Sequence, residues 1–191
     1  MASPLVRHLP NAITLVRALL IPVIALALLR RDYGNALLLF VVCALGDLVD
    51  GLLARAFDVR TRFGAVADPL ADKLTMLTAT LLLAWQDWLP WWFALLVVVR
   101  DVVIVAGAIA YHLRVGHVEM APTLLSKFNT VLEFSFLTGV LAMGAGLLDE
   151  GAWFLVLLWT TSATILLSGA QYVVLWSLKA ARERRALSLP R

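Results

Sequence analysis

The sequence predicts an all-α integral membrane protein: a six-transmembrane-helix bundle with a short N-terminal interfacial segment. Three observations carry the prediction. Of 191 residues, 62% are hydrophobic and only 15% charged, where a soluble domain carries about 25% charged; the mean hydropathy is +0.89. The apolar residues fall in runs of about 20, the length that crosses a ~30 Å hydrocarbon core as a helix, without the alternation of a barrel strand. Basic residues are shared unequally between alternate loops, as expected where a membrane sorts them.

Taken in order, the spans are expected at Ala12–Leu29, Asn35–Ala56, Ala65–Trp85, Leu89–Leu113, Thr123–Leu148 and Ala152–Trp176. Residues 1–11 form the interfacial segment and residues 177–191 a basic cytoplasmic tail, so 1–191 reads as a single domain. The opening MASPLVRHLPN lacks a long apolar stretch before a small-residue cleavage site, so no cleaved signal is expected. Short connections favour antiparallel neighbours. With the N-terminus inside, the cytoplasmic segments hold Arg7, Arg60, Arg62, Arg114, Lys179, Arg182, Arg184, Arg185 and Arg191, against Arg30 and Arg31 outside. That bias places both termini, and the turn between spans two and three, in the cytoplasm. The tail is also suited to anionic membrane lipids. Trp85, Trp88, Trp91, Trp92 and Trp153 gather at the opposite face, as an interfacial aromatic belt does. Gly139, Gly144 and Gly146 would allow close helix packing in span five. The lone Cys43 excludes an internal disulfide and reads as a small core residue. No nucleic-acid partner is expected.

One stretch does not belong in an apolar bundle unless it has work to do. Residues 47–72 read DLVDGLLARAFDVRTRFGAVADPLAD. Asp47 and Asp50 are three apart, and Asp68 and Asp72 four apart, so each pair shares one helix face. The pairs are nearly symmetric about Val59 and Arg60. In a helical hairpin Asp47 would lie level with Asp72, and Asp50 with Asp68, the outer acids roughly 18 Å from the turn. Ionisable groups at that depth usually mark a site. Four oxygen donors without His or Cys beside them suit Mg²⁺ or Mn²⁺. Two such cations would balance four carboxylates and clamp a phosphoryl displacement. Arg55 offers a fork suited to phosphate, Gly51 and Ala54 leave room against the backbone, and Gly64 allows a tight re-entry. Thr61 and Arg62 add a hydroxyl and a charge at the mouth.

The pattern Asp47-x2-Asp50-Gly51-x2-Ala54-Arg55-x8-Gly64-x3-Asp68-x3-Asp72 resembles the signature of the CDP-alcohol phosphatidyltransferases, with every fixed position present. The resemblance implies that Asp47, Asp50 and Asp68 are metal ligands. Asp72 would touch the second metal and act as base on the acceptor hydroxyl. Gly51, Ala54, Arg55, Thr61 and Gly64 would hold the CDP-lipid. The opening Pro10-Asn11-Ala12-Ile13-Thr14-Leu15-Val16-Arg17 is similar to that family's PNxxTxxR start, which would put Asn11 and Ala12 over the nucleotide and Arg17 near phosphate. An ordinary helix start capped by Asn11 explains the same residues. The implied reaction transfers the phosphatidyl group of CDP-diacylglycerol to an alcohol, releasing CMP to the cytoplasm.

Two further stretches bear on the alcohol. Arg100-Asp101 lies within span four, and Ser126-Lys127-Phe128-Asn129-Thr130 opens span five. Both resemble the CMP-forming cardiolipin synthase branch, whose acceptor is phosphatidylglycerol, although this chain has Glu133 where that branch has Gln. Arg17, Arg100 and Lys127 are the candidates for acceptor and phosphate binding, with Glu133 expected to pair with Arg100 or Lys127. A local charge pair and simple snorkelling are the structural alternatives for Arg100 and Lys127. The neighbouring branch uses glycerol 3-phosphate, with Arg-Glu and Gly-Lys-x-Lys-Thr at the corresponding places. The resemblance further implies a homodimer in a bacterial inner membrane. A divalent-cation transporter is the alternative of another class. It is disfavoured because the acids gather towards one side, where a transport site is expected nearer the midplane.

Overall fold

The computed structural model describes the backbone of residues 4–56, 64–115 and 123–187, and the side chains of residues 16–46, 70–107, 109 and 123–175. Six helices occupy them, with no strand among the described residues: α1 (Pro4–Leu29), α2 (Tyr33–Ala56), α3 (Gly64–Trp85), α4 (Trp91–Val115), α5 (Leu124–Gly144) and α6 (Ala152–Leu187). The chain divides into two compact units. The first comprises Met1–Leu89 and Leu137–Gly151, the second Pro90–Phe136 and Ala152–Arg191. In the first, α1 packs along both α2 and α3, which also touch each other; in the second, α4 packs along α6.

The helix boundaries follow local chemistry, and some differ from expectation. The first helix starts at Pro4 rather than Ala12, so residues 4–11 are helical and Asn11 lies inside a helix instead of capping it. Proline at a first helical position loses no hydrogen bond, and Pro10 costs a single one without ending the helix. At the other end α6 runs on to Leu187, so Lys179, Arg182, Arg184 and Arg185 ride on a helix. The segment is rich in Ala, Arg, Leu and Glu, all strong helix formers. Asp32 caps α2, its Oδ1 accepting the Asn35 N–H at 3.2 Å. Thr123 caps α5, its Oγ1 accepting the Ser126 N–H at 3.2 Å.

The C-termini of α1, α3 and α5 close in the same way. Asp32 N–H reaches the Ala27 carbonyl at 2.9 Å, Trp88 N–H that of Leu83 at 3.0 Å, and Leu147 N–H that of Ala142 at 2.9 Å. Each spans six residues around one left-handed residue: Arg31 (φ 58°), Asp87 (φ 63°) and Gly146 (φ 71°). This is the Schellman arrangement, which usually takes glycine. Beside two of these turns, Gln86 donates from Nε2 to the Leu28 carbonyl at 2.6 Å. Its Oε1 accepts the Tyr33 hydroxyl at 2.6 Å, and that hydroxyl in turn accepts Trp88 Nε1–H at 2.8 Å. The Tyr33 ring lies so close to Gly144 that a methyl group there would stand 2.7 Å from Cγ. Of the expected close-packing glycines, Gly144 has that role, and Gly146 serves the turn.

Each unit exposes large apolar side chains, Leu19 and Leu38 in the first and Leu95, Val131, Trp159 and Leu167 in the second. Inside lie Thr75, Thr80, Ser126, Asn129, Glu133 and Ser162, besides Arg17 and Arg100. A soluble domain avoids large exposed apolar patches. Among the described residues one helical segment, Ala152–Leu175, is long and apolar enough to cross a membrane; Val16–Leu29 and Tyr33–Gly46 are shorter apolar stretches. In the expected tryptophan belt, Trp85, Trp91 and Trp92 are exposed, and Trp92 stacks on Trp159 with centroids 5.4 Å apart.

Candidate active site

The four acids lie on the two helices that the sequence pattern requires. Asp47 and Asp50 are in the C-terminal half of α2, and Asp68 and Asp72 in the first two and a half turns of α3, which Gly64 opens. Helical backbone on both sides makes each pair share a face, and α2 and α3 are in contact. Of the four, only the Asp72 side chain is among the described residues. The side chains of Asp47, Asp50 and Asp68 lie outside them, as do those of Asn11, Ala12, Ala54 and Arg55. Gly51 is within α2. Thr61 lies wholly outside the described residues.

Asp72 shows what holds the hairpin to the first helix. Its Oδ1 meets Nη2 of Arg17 at 3.5 Å; the arginine is 3% exposed and the aspartate 39%. Arg17 comes from α1 and Asp72 from α3, 55 residues apart. A buried guanidinium requires an anion nearby, and the hairpin supplies one. Arg17 was expected near phosphate; the structure places it against the candidate base. Nothing in residue spacing encodes which residues meet where two helices cross, so the pair was not foreseeable. What the sequence does signal is that Arg17 needs some partner within an apolar run.

The donor set fits a hard divalent cation. It is acidic and all-oxygen, on two touching helices. The nearest thiol, Cys43, is buried one turn before Asp47 on α2. Among the described residues no group of three or more His, Cys, Asp or Glu side chains comes together, and three of the four acids lie outside that set.

The second unit has its own buried polar cluster. Arg100, in the third turn of α4, donates from Nη1 to Asp101 at 2.7 Å. Its Nη2 donates to Ser126 at 2.7 Å and to Ser168 at 3.4 Å, while Nε is buried with no hydrogen-bond partner among the described residues. Glu133 accepts from Asn129 Nδ2 at 3.4 Å, and Asn129 Oδ1 accepts the Thr164 hydroxyl at 2.7 Å. Arg100 takes its own chain neighbour, Asp101, as carboxylate. Lys127, in the first turn of α5, is exposed.

An all-helical chain with outward-facing apolar side chains and an acidic helix pair beside a buried arginine defines a narrow class. The model of the CDP-alcohol phosphatidyltransferases matches residues 7–177, and the chain belongs to that family. The family generally depends on divalent cations. The chain is 34% identical to a probable CMP-forming cardiolipin synthase of Drosophila melanogaster, over 83% of this chain and 55% of the relative. It is 31% identical to a cardiolipin synthase/mitochondrial hydrolase fusion protein of Schizosaccharomyces pombe, over 87% of this chain and 30% of the relative. It is 29% identical to a CDP-diacylglycerol–glycerol-3-phosphate 3-phosphatidyltransferase of Rickettsia typhi, over 87% of this chain and 95% of the relative. The chain therefore spans about half the Drosophila protein and nearly all of the Rickettsia one.

Proposed function

We propose that this protein transfers the phosphatidyl group of CDP-diacylglycerol to phosphatidylglycerol, giving cardiolipin and CMP. The observation that carries the reading is the acid pattern of residues 47–72, set on two touching helices in a chain whose family match spans residues 7–177. Asp47, Asp50, Asp68 and Asp72 are the ligands for two divalent cations, Mg²⁺ or Mn²⁺, which when bound supply charge stabilisation to the pyrophosphate. Asp72 takes the proton of the acceptor hydroxyl. The acceptor oxygen then bonds to the phosphorus that carries diacylglycerol, and the bond from that phosphorus to the CMP oxygen breaks. Gly51, Ala54, Arg55, Thr61 and Gly64 hold the CDP-lipid, with Asn11 and Ala12 over the nucleotide. Arg17, Arg100 and Lys127 are the acceptor and phosphate candidates, and the Nε of Arg100, which has no hydrogen-bond partner among the described residues, is a donor of the kind a phosphate oxygen takes.

The outward-facing apolar side chains support a six-span membrane bundle as one domain, 1–191, with both termini and the site on the cytoplasmic side of a bacterial inner membrane. A homodimer belongs to the same reading. A second acceptor, glycerol 3-phosphate, is favoured by the Rickettsia relative, which matches along 95% of its length. The deciding experiment incubates purified protein with CDP-diacylglycerol, Mn²⁺ or Mg²⁺, and each acceptor in turn, and identifies the lipid formed. Cardiolipin supports the reading; phosphatidylglycerophosphate replaces the acceptor; metal flux through proteoliposomes without CMP chemistry replaces the reading with a transporter.

A further inference from the structure

Resting on that reading, we infer that Gln171 is a specificity-determining residue for the acceptor. Its amide oxygen takes the hydroxyl that lies between the phosphate and the reacting hydroxyl of a phosphoglycerol headgroup. All the residues concerned belong to the second unit, Pro90–Phe136 and Ala152–Arg191. Thr161, Thr164, Ser168 and Gln171 recur on α6 at intervals of three and four, so they share one face. That polar face runs through a segment, Ala152–Leu175, that is long and apolar enough to cross a membrane. Its two middle hydroxyls are in use. Thr164 donates to Asn129 Oδ1 of α5 at 2.7 Å, and Ser168 accepts from Arg100 Nη2 of α4 at 3.4 Å. Its two end groups, Thr161 Oγ1 and Gln171 Oε1, are buried with no hydrogen-bond partner among the described residues.

Of these two ends, Gln171 is the one nearer the arginine's contact. It lies one turn past Ser168 on the same face, and the Arg100 Cγ is 3.8 Å from where a side chain on Gly169 would begin. Thr161 is two turns away from Ser168 in the other direction, roughly 10 Å along the helix. Arg100 is 8% exposed, and its Nε is likewise buried with no hydrogen-bond partner among the described residues. Buried polar groups almost always find a partner, and these two need opposite kinds. The Nε–H requires an acceptor and the amide oxygen a donor. A phosphate oxygen supplies the first and a hydroxyl the second, and a phosphoglycerol headgroup carries both a few bonds apart. In phosphatidylglycerol and glycerol 3-phosphate alike, a central hydroxyl stands between the phosphate and the terminal hydroxyl that attacks. With the phosphate on Arg100, that central hydroxyl is the donor for Gln171. A headgroup without it leaves the amide oxygen unpaired, which is how a hydrogen-bonding site rejects an analogue. A water molecule is the other occupant such a group can take, and it confers no selectivity.

The test uses the full-length protein in nanodiscs with CDP-diacylglycerol and Mn²⁺, and reads kcat/KM for CMP release. Phosphatidylglycerol and glycerol 3-phosphate are each paired with the analogue that lacks the central hydroxyl. The pair that wild type turns over identifies the source of the headgroup. Within that pair wild type is expected to prefer the glycerol form by about 10–100-fold. Gln171→Leu should shrink the preference by about ten-fold, whereas Thr161→Val, on the same face but away from Arg100, should keep it. The preference is a ratio taken within one variant, so damage to the fold, which slows both acceptors alike, does not move it. If Gln171→Leu does not fold, Gln171→Met carries the test with the same sign. A preference that survives in the Gln171 variant overturns the inference and leaves water as the partner of the amide. So does an equal loss in Thr161→Val, which would assign the effect to the packing of α6. Wild type that releases CMP without preferring the glycerol form overturns this inference alone; wild type that releases no CMP with any acceptor overturns the proposed function with it.

Discussion

Arg17 and Arg100 are both buried cations on apolar helices, at 3% and 8% exposure, yet their partners differ in kind. Arg100 is tied by 2.7 Å bonds to the next residue in the chain and to a serine of α5, with Ser168 of α6 further off. Its carboxylate comes with it wherever α4 goes. Arg17 meets a carboxylate 55 residues away on another helix, at 3.5 Å and partly open to solvent. The first arrangement is self-contained: it holds Arg100 in place between α4, α5 and α6, which fits the fixed donor an acceptor phosphate would meet. The second depends on α1 and α3 staying together, with the carboxylate partly open to solvent. Burial alone therefore does not tell how a charge is held; the distance, the exposure of the partner and its place in the chain do.

That contrast can be broken at several points. The largest effect is expected at Asp72: Asp72→Asn should lower CMP release by about 10²–10⁴-fold while CDP binding, measured by calorimetry, largely survives. A variant that keeps turnover removes Asp72 from the chemistry. Arg100→Ala should cost roughly 3 kcal/mol of stability, read as the shift in unfolding midpoint in mixed micelles. An unchanged midpoint would show that Arg100 fastens nothing. Gly144→Ala drives a methyl group against the Tyr33 ring and should cost about 1–3 kcal/mol without altering metal affinity. A matching loss of Mn²⁺ binding would mean that the far end of the first unit supports the site.

The smallest effect is a pH dependence at the Asp32 cap. The side-chain amide of Asn35 first, then its backbone N–H, holds the Asp32 carboxyl below the usual carboxylate range. The folded value is the lower one. The contribution is therefore present above the ordinary carboxylate pKa and is lost as pH falls through the folded value. Melting temperatures of wild type and Asp32→Asn between pH 7 and pH 3 should converge on the acid side. Curves that stay parallel would remove Asp32 from the acid sensitivity. Asparagine remains a good cap, so the lead of wild type at neutral pH, which closes on the acid side, should be small.

Much of this molecule was legible because its signals are local. Apolar runs marked six helices, and the ends of α1, α2 and α3 at Leu29, Ala56 and Trp85 fell where turn residues and charges follow. The spacing of Asp47, Asp50, Asp68 and Asp72 already required two helical faces, and both helices are present. The helix that carries span one begins before Pro10-Asn11, and nothing in that dipeptide, itself a good helix opening, reveals that the turn before it is also helical. The sixth apolar segment was legible at Ala152–Leu175, while the helix runs on through the basic residues to Leu187 because they favour helix. The pairing of Arg17 with Asp72, and of Arg100 with Ser126, depends on helix rotation and crossing. These are fixed by packing across the whole unit, and no short window of sequence contains them.

The most direct test of the central claim is CMP release from CDP-diacylglycerol and phosphatidylglycerol by the purified protein, before and after chelation and again after Mn²⁺ is restored. The account predicts CMP and cardiolipin in equal amounts, abolished by chelation and recovered with the metal. CMP release that ignores the chelator, or no CMP with any alcohol, would contradict it.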